Sequence, residues 1–246
     1  MSAVPQTLER IFGVPFSPQA TLTELRQYHH PNTYCCNAQG ELIGIFSSEH
    51  DCTSITIPAD WQALEYLNLS DNEHQQSLTF AAALPRLQHL DVSDCELSEL
   101  MLPAGFDALR WLDVSRNQLQ RLHLAGNFPA LSYCDCSGNQ LEVLEMPDCP
   151  RLYYLYLNDN QLAKLTFKAP LSALEILHLR NNKLENLPDN FLTLTSLETL
   201  YLHGNPLSSI PKESISEDER GNSRKEIWDY LQELSKGDVI NKIGRN

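Results

Sequence analysis

The sequence predicts a curved α/β solenoid, with a parallel β-sheet along the concave face and short helices or irregular loops along the convex one. Three observations predict it. The pattern LxxLxLxxN begins at Leu64, Leu87, Leu109, Leu131, Leu152, Leu174 and Leu197, at successive spacings of 23, 22, 22, 21, 22 and 23 residues. Within each copy two apolar residues stand two apart, so both face inward from one short strand while their neighbours face outward. Each unit is too short to bury its own leucines and must stack on the next.

The clearest copies read LEYLNLSDN, LRWLDVSRN, LYYLYLNDN, LEILHLRNN and LETLYLHGN. A degenerate copy begins at Leu42, where Ile45, Ser47 and His50 take the later motif places, and this brings the total to about eight repeats. After the strands, LPDNFLTLTS predicts a short helical turn, whereas AGNFPA and MPDCP contain Pro or Gly and hold no long helix. Open solenoid ends expose leucines and need caps. Two helices are expected in the N-terminal cap, around residues 7–12 and 21–28. At the other end Ser223 and Glu226 have capping-box spacing, with Ile227, Trp228, Leu231 and Leu234 on one helical face before Gly237. The expected organisation is an N-terminal helical cap over 1–41, repeats over 42–211, and a C-terminal capping helix and tail over 212–246.

Over residues 42–211 the chain resembles the leucine-rich-repeat family. The resemblance implies that the ninth-place Asn caps its turn by bonding backbone groups of neighbouring repeats, and that Cys95 is a tolerated substitute there. The stretches YCCNAQGELIGI before the repeats and GNSRKEIWDYLQEL after them resemble the borders of the repeat domain in bacterial Roco proteins, where a GTPase domain usually follows. This chain has no GxxxxGK[ST] and is not itself expected to bind GTP.

Composition narrows the function. The net charge of −14 gives a field that repels phosphate backbones and anionic membranes, so nucleic acid is not an expected partner. No apolar run approaches the roughly 18 residues of a membrane span, and the N-terminus lacks the basic-then-apolar order of a signal peptide. Seven cysteines without CxxC pairs suggest neither a disulfide framework nor a zinc site, and a reducing cytoplasm fits best. No cofactor is expected, and the isolated chain is expected to be monomeric. Charge is uneven: residues 41–148 hold 17 acids and 4 bases, while 149–211 hold 5 of each.

The fixed period lists the outward columns of the concave face. The third place carries Tyr66, His89, Trp111, Tyr133 and Tyr154. The fifth carries Asp91, Asp113, Asp135, Tyr156, His178 and Tyr201, and the seventh carries serines followed by Arg180. Tyr66, Trp111, Tyr133, Tyr154 and Tyr156 are expected to form a ribbon of exposed aromatics, the residue types enriched at binding hot spots. Stacking that merely stabilises the ladder is the alternative. The three aspartates at strand spacing invite a basic partner, yet LDxS is also a common strand variant of the resembled family. A serine activated by His89 or His178 would be a hydrolase, but nothing in the sequence encloses such a pair or supplies an oxyanion hole. Cys134 and Cys136 replace inward leucines and are expected to be buried apolar residues.

A non-enzymatic protein-interaction module is therefore expected. It would grip a partner with a basic or amphipathic surface through these concave residues, alone or as the N-terminal part of a Roco-type signalling protein. The alternative is the substrate-recognition half of a bacterial effector enzyme such as a ubiquitin ligase. An inert spacer does not explain the aromatic ribbon.

Overall fold

In each repeat the two apolar residues of LxL enter the interior, and the next coil can only follow in register. The computed structural model describes residues 4–27, 30–48, 50–188 and 190–208, together with the backbone of Asn222–Ser223. Its main sheet has eleven strands, eight of them supplied by the repeats: Leu42–Phe46, Tyr66–Asn68, His89–Asp91, Trp111–Asp113, Tyr133–Asp135, Tyr154–Tyr156, Ile176–His178 and Thr199–Tyr201. These eight run parallel, and Ile45, Leu67, Leu90, Leu112, Cys134, Leu155, Leu177 and Leu200 pair in one unbroken line. Every member of that line is buried, Cys134 included. The sequence-derived register is the observed one.

The turn after each strand is locked by polar groups. Asn117 Nδ2 donates to the carbonyls of Val92, Val114 and Ser115 at 2.8, 3.2 and 3.1 Å, and its Oδ1 accepts the Leu97 N–H at 3.0 Å. Asn139, Asn160, Asn182 and Asn205 repeat the arrangement, each reaching back to backbone of the preceding coil. Cys95 fills the same place with a thiol directed at the Leu69 and Ser93 carbonyls at 3.3 and 3.4 Å. The residue before each of these positions has left-handed backbone: Asp71, Asp94, Arg116, Gly138, Asp159, Asn181 and Gly204 have φ between 51° and 75°. Short polar residues and glycine dominate there because their side chains tolerate that region. Arg116 is the exception, and its guanidinium is bridged to Asp94 of the previous turn.

Halfway round the first six coils the structure departs from expectation. In place of helices and irregular loops there are three two-stranded parallel sheets: Ser54–Ile57 with Ser77–Phe80, Glu99–Leu102 with Arg121–Leu124, and Val143–Met146 with Lys164–Phe167. The physical reason is the local period. SITI, ELML, VLEM and KLTF alternate outward and inward residues, which is strand periodicity. The turn expected in LPDNFLTLTS is present as a 3-10 turn over Phe191–Thr193.

The N-terminal cap is also not purely helical. Helices Val4–Phe12 and Leu22–Gln27 match the expected ones, the second opened by a reciprocal Thr21–Glu24 capping box. Strands Ser17–Gln19 and Thr33–Cys36 extend the concave sheet, Thr33–Cys36 pairing antiparallel with Leu42–Phe46. At the far edge Asn222–Ser223 pairs antiparallel with Thr199–Tyr201. The expected C-terminal helix with Trp228 lies outside the described residues. Among the described residues no helix is long and apolar enough to cross a membrane.

Removing one link of the asparagine ladder orphans buried backbone groups on two coils at once. Asn117→Ala is expected to cost about 2–4 kcal/mol, because each buried group left unpaired carries its own desolvation penalty. Urea unfolding of the variant measures this. A loss below about 1 kcal/mol would mean that the ladder is not what joins the coils.

Candidate protein-binding face

The register places the third-place residues directly opposite one another: Gly44, Tyr66, His89, Trp111, Tyr133, Tyr154, Ile176 and Thr199 in one line. The rings use that line only as far as Tyr133. Tyr66 stacks on His89 at 4.5 Å between centroids, His89 lies 5.8 Å from Trp111, and Trp111 stacks on Tyr133 at 3.6 Å with an interplanar angle of 5°. Tyr133 then contacts Tyr156 of the fifth place at 5.4 Å rather than stacking on Tyr154. The ladder continues edge-to-face through His178 and Tyr201 at 4.6 and 4.2 Å. It therefore crosses the sheet diagonally, a step within reach of aromatic side chains. The Tyr133 hydroxyl donates to Asp135 Oδ2 at 3.4 Å, which inclines that ring toward the fifth place.

The members differ in what they offer a partner. Trp111 is 37% exposed and Tyr154 36%, and Tyr154 has Tyr153 beside it at 41%. Tyr133, Tyr156, His178 and Tyr201 are half-buried by their neighbours. Tyr66, expected as an exposed member of the ribbon, is only 4% exposed. It packs with Leu25, Cys35 and Phe46, and the Arg26 guanidinium lies 5.2 Å above its ring. The cap covers this end of the ribbon, so Tyr66 is a base for the stack rather than an anchor.

Asp91, Asp113 and Asp135 each close a small turn. Their Oδ1 atoms accept the backbone N–H of Ser93, Ser115 and Ser137 at 3.0, 2.9 and 2.8 Å. Asn68 does the same for Ser70 at 3.0 Å and donates through Nδ2 to Asp91 Oδ2 at 3.0 Å. Burial raises the pKa of Asp91, and it lifts that of Asp113 to about 6, against the serine hydrogen bonds that favour the anion and with help from Asp91 and Asp135. Burial pushes His89 and His178 down to about 4, so both are neutral at physiological pH. Arg180, the seventh-place cation, lies 3.6 Å from Asp159.

Several residues absent from the sequence-derived list line this face. Arg26 comes from the cap, while Gln88 and Arg110 occupy the second place of their repeats. With Tyr66, Asn68, His89, Asp91 and Trp111 they enclose an open cavity of about 400 Å³. The cap residue has no signal in the repeat pattern. The second-place residues follow from the same fixed period as the third and fifth places.

The Ser93 hydroxyl donates to Asp91 and the Ser70 hydroxyl to Asn68, while His178 Nδ1 faces Asn158 Nδ2 at 3.3 Å. No serine–histidine pair is among these contacts. Cys134 and Cys136 are fully buried with sulfurs 3.6 Å apart, and the Cys134 thiol is pushed well above its ordinary range by its Cys136 hydrogen bond and by burial. Among the described residues no cluster of three or more His, Cys, Asp or Glu is arranged to hold a metal ion.

Asp113 has a testable cost. Its pKa is about 6 in the fold against 3.8 in an unfolded chain, so the folded state holds more protons between those values. Stability therefore falls as pH rises through that window and is level on either side. Asn68 shows that an amide closes the same turn. Asp113→Asn is expected to raise stability by about 1–2 kcal/mol at pH 7.5, with the gain vanishing near pH 4. Urea denaturation at both pH values checks it, and equal effects at the two would contradict the assignment.

Comparison with known proteins agrees with this architecture. A family model described as "Leucine rich repeat" matches residues 150–207. A "Roc-COR-CHAT protease" from an unknown prokaryotic organism is 38% identical over 200 residues, covering 81% of this chain and 19% of that protein. A second protein of that name, from Runella zeae, is 34% identical over 77 residues, covering 31% of this chain and 8% of its own. The chain thus spans about a fifth or less of the length of these two relatives. The crystal structure of Listeria monocytogenes InlP aligns with a TM-score of 0.45 and 24% identity over 62% of this chain and 56% of that one. The fold is that of a leucine-rich-repeat solenoid, and over most of its length the chain resembles the Roc-COR-CHAT proteases.

Proposed function

We propose that this chain holds a partner protein against its concave sheet and performs no catalysis of its own. The observation that carries this reading is the continuous ring ladder from His89 to Tyr201, fixed on a rigid parallel sheet, with Trp111 and Tyr154 protruding beside acidic side chains. Large amphipathic rings held in one rotamer lose little entropy on binding, which is why they serve as anchors. Fixed negative charge beside them selects a basic or amphipathic partner and acts mainly on the association rate.

Of a relative named for a protease, this chain matches only 19% of the length. That supports placing recognition here and catalysis elsewhere, with the chain acting as the recognition segment of a larger Roco-type signalling protein. Seven free cysteines, several of them in the core, support a reducing cytoplasmic setting.

Tyr154 gives the cleanest test, because its ring is exposed and outside the main stack. Ligands selected from a displayed library of protein fragments are expected to bind Tyr154→Ala at least about tenfold more weakly, with an unchanged melting temperature. Trp111→Ala is expected to lose as much binding and also about 1 kcal/mol of stacking with Tyr133. Glu145→Ala and Lys168→Ala, which break a 3.3 Å surface ion pair away from this face, are expected to bind normally. Weakened binding in the last two with normal binding in the first two would place the site elsewhere. Affinity is also expected to fall as salt rises.

A further inference from the structure

The concave face carries two poles of opposite charge a short distance apart. At one pole stand Arg26 and Arg110, on the rim of the 400 Å³ cavity whose walls include Tyr66, His89 and Trp111. Arg116 and Arg121 are bridged to Asp94 and Glu99, but no described carboxylate lies within ion-pair distance of Arg26 or Arg110. Asp91 lines the same cavity with both oxygens engaged: Oδ1 accepts from Ser93 and Oδ2 from Asn68. Burial raises its pKa, against the serine hydrogen bonds that favour the anion. Neither guanidinium is thus ion-paired to a described carboxylate, and Arg26 rests instead over the Tyr66 ring, beside an otherwise acidic half of the solenoid. At the other pole stand Asp113 and Asp135, each with Oδ1 spent on its serine turn, Asp135 Oδ2 also accepting from the Tyr133 hydroxyl at 3.4 Å.

We propose that this groove reads the order of charges along an extended segment of its partner: an Asp or Glu side chain seated between Arg26 and Arg110, and an Arg or Lys over Asp113 and Asp135. The inference rests on the concave-binding reading above and adds to it the partner's charge pattern. The cavity is centred on strand His89–Asp91, and the second pole lies one to two strands further on. At about 4.8 Å per strand that is roughly 5–10 Å, and an extended chain crossing the sheet advances about 3.3 Å per residue. The two charges are therefore two or three residues apart in the partner. Two residues apart also puts both side chains on the same side of an extended chain. A singly charged carboxylate suits the first pole better than a phosphate, because the aspartates nearby and the net charge of −14 repel a dianion more strongly. Opposite poles also fix direction, since a segment laid in backwards sets each charge against its like.

The test is selection from a displayed library of random linear peptides on the full chain and on two double variants, Arg26→Gln with Arg110→Gln and Asp113→Asn with Asp135→Asn. Wild type is expected to enrich peptides with an acidic and a basic residue two or three positions apart, in one order and not its reverse. The arginine variant is expected to lose the acidic preference and keep the basic one, and the aspartate variant the converse. A selected peptide is expected to bind each double variant about fivefold more weakly, as partly solvated charge pairs do. An acidic preference that survives the arginine substitutions, or charges enriched in both orders, overturns the inference. Peptides weakened by Tyr154→Ala but indifferent to both charge variants overturn it while leaving the concave site standing. Peptides indifferent to Tyr154→Ala and Trp111→Ala, or no enrichment at all, overturn both.

Discussion

The side chain of each turn asparagine reaches back into the preceding coil, and the rest of the structure depends on that reach. Leucine burial by itself is non-directional and would tolerate coils that slip or rotate against one another. The amide removes this freedom: Asn160 donates to the Cys136 carbonyl of the previous coil at 2.9 Å and accepts the Leu141 N–H at 3.1 Å. Each coil is thereby joined to its neighbour in one register. A fixed register is also what turns outward positions into columns, so the same contact that holds the solenoid together organises its concave surface.

That surface uses the sheet in a way a flat list of columns does not convey. From Tyr66 to Tyr133 the rings follow the third place, face against face, and their edges point outward. From Tyr156 to Tyr201 they follow the fifth place in edge-to-face contacts of 89° and 65°. The crossing leaves Tyr154 outside the main stack, with the Tyr153 ring beside it at 6.4 Å. The ladder therefore contributes to stability through most of its members and presents a few. Stabilising stack and proposed binding surface are parts of one arrangement, assigned to different residues by exposure.

Much of this was legible in the sequence because the period is fixed. Strand positions, pairing partners, the inward Cys134 and Cys136, and the column membership of Trp111 and Asp113 all follow from counting. What was not legible depends on side-chain reach or on residues outside the repeat. The diagonal step at Tyr133 is a rotamer matter that columns cannot show. Burial of Tyr66 comes from Arg26 and Leu25, which belong to the cap and follow no repeat. The small sheets on the other side follow from the alternation of ELML and VLEM, a period of two that stands beside Pro and Gly residues that only exclude helix. The ninth-place asparagines became informative only once their partners, carbonyls a whole coil away in sequence, were known.

The aspartate column joins the two readings that the sequence held apart. As a strand consensus, Asp at this place needs only one oxygen, because the serine N–H is accepted by Oδ1 alone. Asn68 performs that task with an amide and suffers no ionisation penalty. A carboxylate at Asp113 costs more than an amide, since burial and two neighbouring acids press its pKa upward to about 6. Structure alone therefore favours asparagine at position 113. The proposed partner supplies a compensating term: a cation arriving over Asp113 and Asp135 favours the ionised form of Asp113, so the energy withheld from folding there is recovered on binding. By linkage, such a partner binds more tightly as pH rises through the range where Asp113 loses its proton. A turn-closing residue and a charge-selecting residue are then the same carboxylate, seen through its two oxygens.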